Sequence, residues 1–273
     1  MGTEIGELGD HDEIQSEMMS EMCLVVDNQD NVIGSETKHA CHRGRGIRHR
    51  AFSVLIFDSK GRLLIQKRSA EKITFPGVWA NSCCSHPLDM ESENDGSHGV
   101  ENAARRKLDQ ELGIPVGITE TWSFHHIGRM EYSCRWDKDW IEREIDHIMV
   151  VQTDTEVNHN ENEISDVLWA DPLEIRRMMS GDGAWGDEVV APWFRLIWEK
   201  YASPHDCDPT AMKSSIDKEI IYCGEVGMDG ESVIPGQALL DALSDHRDRV
   251  EGEIMRSLGK MEQNNLHGAM THL

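Results

Sequence analysis

A chain of 273 residues, 38% hydrophobic and 28% charged, is long enough to bury a sizeable core and has no apolar run near the roughly 18 to 20 residues that span a bilayer. A formal net charge of −23 excludes generic binding to nucleic acid or to an anionic membrane, so an anionic ligand would need a local basic pocket. Seven cysteines without framework spacing, and early acids (Glu4, Glu7, Asp10, Asp12, Glu13, Glu17) where a secretory signal would be basic and then apolar, predict a reducing, cytoplasmic setting without structural disulfides.

Residues 1–20 read as an acidic tail. The runs CLVVD (23–27) and VIGS (32–35) flank Asn28-Gln29-Asp30-Asn31, which predicts a first hairpin. A second hairpin is expected from AFSVLIFD (51–58) and RLLIQKR (62–68) around Ser59-Lys60-Gly61. From 99 to 112, Val100, Ala103, Ala104, Leu108 and Leu112 recur at helical spacing, and Gly113 with Pro115 supplies the stop. Strand-like runs follow at 120–132, 145–152 and 165–170. Helices are expected at 172–179 and at 192–201, the second opened by Pro192. SPHDCDP (203–209) reads as a linker, IIYC (220–223) as a short apolar run, and 236–262 as helical with mixed charge. The class is α+β, helices around a sheet. It divides into the tail, a domain over 21–203 and a C-terminal helical extension over 204–273.

Chemistry concentrates in ITFPGVWANSCCSHP (73–87), where Cys83 and Cys84 precede His86. A thiol tuned by a nearby cation can donate or accept a proton near neutral pH. His42 and His49 lie upstream, and Glu142 and Glu144 alternate within IEREID (141–146), which puts both carboxylates on one side of a strand, a face that Asp146 continues. Three imidazoles and two carboxylates suit an octahedral or near-octahedral divalent ion better than a tetrahedral structural zinc. Lys38, Arg68, Lys72, Arg106 and Lys107 are the cations available for a diphosphate. Taken singly, each of these residues has a plainer reading: an inert buried thiol, a surface histidine, a solvated strand face.

Four blocks in order, GIRHRAFSVLIFDSKGRLLIQKRS, KITFPGVWANSCCSHP, IEREID and APWF, resemble the type I isopentenyl-diphosphate isomerases, over about residues 20 to 223. The resemblance implies a Nudix-like mixed sheet core flanked by helices. It also implies interconversion of isopentenyl and dimethylallyl diphosphate through a tertiary carbocation. RRKLDQELGI (105–114) is similar to a degenerate Nudix helix: where hydrolases carry Arg-Glu-x-x-Glu-Glu, this chain has Arg106, Lys107, Leu108, Asp109, Gln110 and Glu111. Only the last carboxylate survives, which weighs against the alternative, a Nudix-type pyrophosphohydrolase.

By the same resemblance, a divalent ion (zinc, manganese or magnesium) is held by His42, His49, His86, Glu142 and Glu144, and Glu111 serves a magnesium ion on the diphosphate. Cys84 and Glu144 become the proton-transfer pair, Tyr132 the assisting hydroxyl and Trp193 the aromatic facing the cation. Lys38, Arg68, Lys72 and Lys107 bind the diphosphate, with Lys107 where an arginine is usual. The expected partner is a small allylic diphosphate, with no nucleic acid and no membrane, in a monomer or homodimer.

Overall fold

The computed structural model describes residues 11–228, so residues 1–10 and the helical periodicity over 236–262 lie outside the described residues. The chain enters through a short helix, α1 (Glu13–Met18), capped by Asp12, whose carboxylate accepts from the Gln15 N–H at 3.0 Å. β1 (Met22–Val26) and β2 (Val32–Thr37) form the first expected hairpin. Thr37 then caps the five-residue α2 (Lys38–His42).

β3 (His49–Phe57) is buried along its whole length. It meets β4 (Leu63–Arg68) antiparallel at the single pair Phe57↔Leu63. The second hairpin thus forms at its turn and then opens, because β4 takes other partners. These are β5 (Trp79–Asn81) and β9 (Ile164–Ala170). β6 (Cys83–Ser85) pairs with β3 instead. Neither β5 nor β6 carries a periodic signal, since three residues are too few to show one.

The remaining elements are α3 (Gly96–Leu112), α4 (Val116–Thr119), β7 (His125–Arg135), β8 (Ile141–Gln152), α5 (Pro172–Ser180), α6 (Pro192–Ile197), α7 (Pro209–Ser214) and β10 (Ile220–Val226). The strand expected from 120 starts at His125 because the chain first turns through α4. The helix expected over 192–201 is α6 followed by one wider π turn at Trp198–Ala202. β10 lies parallel to β7 at one edge of a sheet ordered β10-β7-β8-β3-β1-β2.

The centre of the sheet is the parallel pair β3–β8. Both faces of it are covered, which explains why AFSVLIF runs apolar without alternation. Phe52, Val54 and Ile56 pack with Val100, Ala103, Ala104 and Leu108 of α3. Leu55 and Phe57 face the opposite way, in one cluster with Trp193, Phe194 and Ile197 of α6. The mixed sheet between helices agrees with the expected class.

α3 ends at Gly113, φ 63°, where the Gly113 and Ile114 N–H groups return to the Asp109 and Leu108 carbonyls, both at 3.1 Å. A Cβ at Gly113 would collide with the Asn158 backbone carbonyl, whereas one at Gly61, φ 76°, would meet nothing within 4 Å. Gly113→Ala is therefore expected to cost about 2 kcal/mol or more, roughly 4–8 °C of melting temperature, and Gly61→Ala only the backbone strain. Paired thermal melts check the difference.

Candidate active site

The site grows from the start of the central strand pair. Glu142 and Glu144 fall two apart on β8, and register places His49, the first residue of β3, directly beside Glu144. His42 comes from the last turn of α2 and His86 from just beyond β6. One ligand atom from each of these five buried residues falls within 4.8 Å of all the others. The three imidazole rings stand 4.7 to 5.0 Å apart.

Hydrogen bonding decides which way two of the imidazoles face. His42 Nδ1 is 2.7 Å from the Lys38 carbonyl and His49 Nδ1 is 2.7 Å from the Ile47 carbonyl. A carbonyl can only accept, so both Nδ1 atoms carry the proton and both Nε2 atoms turn inward. There, His42 Nε2 lies 2.7 Å from Glu142 Oε2, yet neither atom is aligned for a hydrogen bond, and His49 Nε2 also lacks one. Unprotonated imidazole nitrogens buried against carboxylates would be costly, so the cluster calls for a cation, a proton or a metal ion, between them. Donors about 2.0–2.2 Å from one ion are at most about 4.4 Å apart, close to the spread seen here.

The charges point the same way. Burial raises the carboxyls of Glu142 and Glu144, but the histidines, and for Glu144 also Tyr132, outweigh it and hold both below the usual carboxylate range. Burial likewise pulls His49 down, and the Glu144 contact overrides it, raising the imidazole to about 9. Burial first, then the charges of His49, His42 and Lys38, push His86 well down. Two carboxylates among three imidazoles thus recruit a positive charge, and the cluster has the donor set of a divalent-metal site.

Toward the interior, the Tyr132 hydroxyl on β7 donates to Glu144 Oε2 at 2.6 Å, while Glu144 Oε1 lies 2.7 Å from His86 Nε2. Burial, with the Glu144 charge, drives the tyrosine pKa far up, so the phenol keeps its proton. Cys84 on β6 lines the same cleft. Burial pushes its thiol up to about 12, against the opposing charge of Arg68. Trp193 of α6 closes one wall, braced edge-on by Phe75 at 5.2 Å, with the Arg68 guanidinium 5.7 Å from its ring centre. Its buried Nε1 has no hydrogen-bond partner.

Lys38, Arg68, Lys72 and Lys107 line the same cleft. They are an island of positive charge in an acidic protein. Burial first, then the charges of Arg68, Lys38 and Lys107, bring Lys72 down to about 8 in spite of its 2.6 Å ion pair with Glu163. Arg68 is aimed by the Phe75 and Thr74 carbonyls, each at 2.9 Å. Lys107 reaches Glu111 at 3.1 Å, and Glu111 lies on the cleft wall outside the five-residue cluster. Asp109 and Gln110 point to solvent, so Glu111 is the one buried carboxylate of α3. Arg106, a sequence candidate for the diphosphate, does not line the cleft; it turns to Glu93.

Sequence reasoning missed Ser53 and left Asp146 unassigned. Ser53 lines the cleft, is the cross-strand neighbour of Cys84, and donates to Asp146 Oδ2 at 2.9 Å. The polar interruption at Ser53 in an apolar run was the available signal. Glu163, the partner of Lys72, had none, being 91 residues away.

Residues 47–194 match the model of the NUDIX domain. The chain is similar to the isopentenyl-diphosphate delta-isomerase of Aspergillus fumigatus, 40% identical over 226 residues that cover 74% of this chain and 80% of the relative. It is 40% identical over 198 residues to isopentenyl-diphosphate delta-isomerase 1 of Bos taurus, covering 70% of this chain and 87% of the relative. With the chloroplastic isopentenyl-diphosphate delta-isomerase 1 of Cannabis sativa it shares 42% over 192 residues, 67% of each chain.

Proposed function

The chain belongs to the type I isopentenyl-diphosphate isomerases of the Nudix fold, and from that premise we propose that Cys84 and Glu144 carry its proton transfers. The enzyme interconverts isopentenyl and dimethylallyl diphosphate. One observation carries the residue assignment: the Cys84 thiol and the Tyr132-bonded Glu144 carboxylate line one cleft with Lys38, Arg68, Lys72 and Lys107.

An unactivated alkene is a weak base, so its protonation needs an acid placed against the terminal carbon and a dry, cation-tolerant pocket. In one direction the Cys84 thiol adds a proton to the terminal CH2, leaving a tertiary cation, and Glu144 removes a proton from the carbon next to the CH2 that bears the diphosphate oxygen. The reverse reaction exchanges the two roles. Tyr132 holds Glu144 in place and can carry its proton. The Trp193 face stabilises the cation by about 2 kcal/mol when desolvated, and the Arg68 charge beside the ring offsets part of that gain. Phe52 and Trp193 keep water from trapping the cation as an alcohol.

His42, His49, His86, Glu142 and Glu144 would hold a zinc, manganese or magnesium ion, whose charge would lower the proton affinity of Glu144 and fix its orientation. Glu111 would serve a magnesium ion on the diphosphate. Lys38, Arg68, Lys72 and Lys107 bind the diphosphate, so that remote binding energy positions the alkene. No helix among the described residues is long and apolar enough to cross a membrane, and all seven cysteines are free thiols. A cytoplasmic monomer or homodimer is the proposed state, in which 21–203 forms the isomerase domain, 1–20 a tail that ends in α1, and 204–273 an extension whose α7 and β10 pack onto that domain.

Incubating the purified protein with isopentenyl diphosphate and magnesium, while following dimethylallyl diphosphate and released phosphate together, tests the activity. Isomer without phosphate is expected. Phosphate without isomer would overturn the reading in favour of a hydrolase.

A further inference from the structure

Four members of the metal cluster sit on regular elements: His42 on α2, His49 on β3, Glu142 and Glu144 on β8. His86 does not. It follows the last residue of β6, and the chain from there to α3 is irregular. β1 holds the stretch two residues on, through the Cys23↔Leu88 bridge and the Asp89 N–H to the Met22 carbonyl at 2.8 Å, and a buried ion pair fixes the His86 backbone itself.

Glu93, in that irregular stretch, is 2% exposed and receives Arg106 of α3 bidentately, Nε at 2.6 Å and Nη2 at 2.9 Å. The same Nη2 donates to the His86 carbonyl at 3.1 Å, and Glu93 Oε2 also accepts the Leu88 N–H at 2.8 Å. The peptide groups on either side of Pro87 are thus both caught by one salt bridge. α3 backs the arrangement closely, for at Gly99 even a Cβ would collide with the Glu93 carbonyl. Next to Arg106 on this helix are Lys107 and, one turn on, Glu111, both lining the cleft.

We propose that the Glu93–Arg106 pair is a clamp that sets His86 in the metal cluster, making both of them positioning residues for the isomerisation. This rests on the assignment of His86 as a metal ligand. Neither residue lines the cleft. Their effect runs through the His86 backbone, as partners outside a ligand shell tune affinity by orienting a ligand. Arg106→Lys keeps the charge but loses the planar fork, so it cannot hold both Glu93 oxygens and the His86 carbonyl together.

The test titrates chelator-stripped full-length protein with Co2+, reading the d–d absorption and Kd, and then measures kcat and KM at saturating metal. Arg106→Lys and Glu93→Gln are compared with His86→Asn and with Arg105→Lys, whose guanidinium pairs with Glu101 on the same helix. Arg106→Lys and Glu93→Gln should each weaken Co2+ binding roughly 10- to 100-fold and alter the spectrum, with KM within about twofold of wild type, while Arg105→Lys changes nothing.

An unchanged Co2+ Kd in Arg106→Lys and Glu93→Gln, beside a weakened one in His86→Asn, overturns the clamp alone. An unchanged Kd in His86→Asn overturns the ligand assignment beneath it. A raised KM at unchanged Kd would make Arg106 a diphosphate ligand, and a lowered melting temperature alone would make the pair merely structural. Either result overturns the proposal.

Discussion

Cys84→Ala is expected to lower kcat by roughly 10²–10⁴-fold, the usual contribution of a positioned proton donor, with KM little changed. The adjacent Cys83→Ala should retain activity. The difference lies in which face of β6 each thiol occupies. Cys84 lines the cleft, whereas Cys83 is fully buried in the apolar cluster against α3, its sulfur 3.7 Å from Glu111. Losing one sulfur from either place costs roughly 1 kcal/mol or a little more, so both variants fold. Steady-state kinetics beside thermal melts separate the two effects. Alkylation adds an independent readout: with its thiol pushed up to about 12 by burial, Cys84 should react slowly at neutral pH and faster only above the ordinary thiol range. Equal losses in both variants, or fast alkylation of Cys84 at pH 7, would remove it from the proton-donor role.

Removing divalent ions with a chelator should produce the second large effect, this one on stability. A ligand at a thousand times its Kd stabilises by about 4 kcal/mol. For a protein of this size that is roughly 8–16 °C of melting temperature. The gap should widen with rising pH. His49, raised to about 9 against an ordinary 6.5, stabilises the ion-free fold below about 6.5, and that contribution disappears as pH climbs toward 9. Over the same range protons stop competing for the imidazole Nε2 atoms, so bound metal stabilises more. In acid, ion-free protein also loses the contribution of Glu142 and Glu144, whose lowered pKa values favour folding only above the ordinary carboxylate range. Melts at pH 6 and pH 8.5, with and without chelator, measure the difference. Identical curves at both would mean that the five donors hold no ion.

Much of this was legible in the residues. Helix α3 announced itself through Val100, Ala103, Ala104, Leu108 and Leu112, and its end through Gly113. Its first turn, Gly96 to His98, was invisible because nothing apolar marks it. IEREID showed that Glu142 and Glu144 share a face, since strand alternation is a local property. What faces them is not local: nothing in HRAFSVLIF says that its neighbour is a parallel strand some ninety residues later, or that IIYC joins the far edge beside β7. Arg106 illustrates the same limit at the level of one side chain. A cation near the thiols is a fair diphosphate candidate until Glu93 and the His86 carbonyl are seen to occupy it.

The pairing of His49 with Glu144 also constrains the order of events when the chain folds. Joining β3 to β8 closes a long loop, an entropically slow step that helices and hairpins precede. The ion site has no existence before that closure, because His42 and His49 come from one end of the loop and Glu142 and Glu144 from the other. Metal thus cannot template the nucleus. An ion held there would act on the finished fold and is expected to slow unfolding more than it speeds folding.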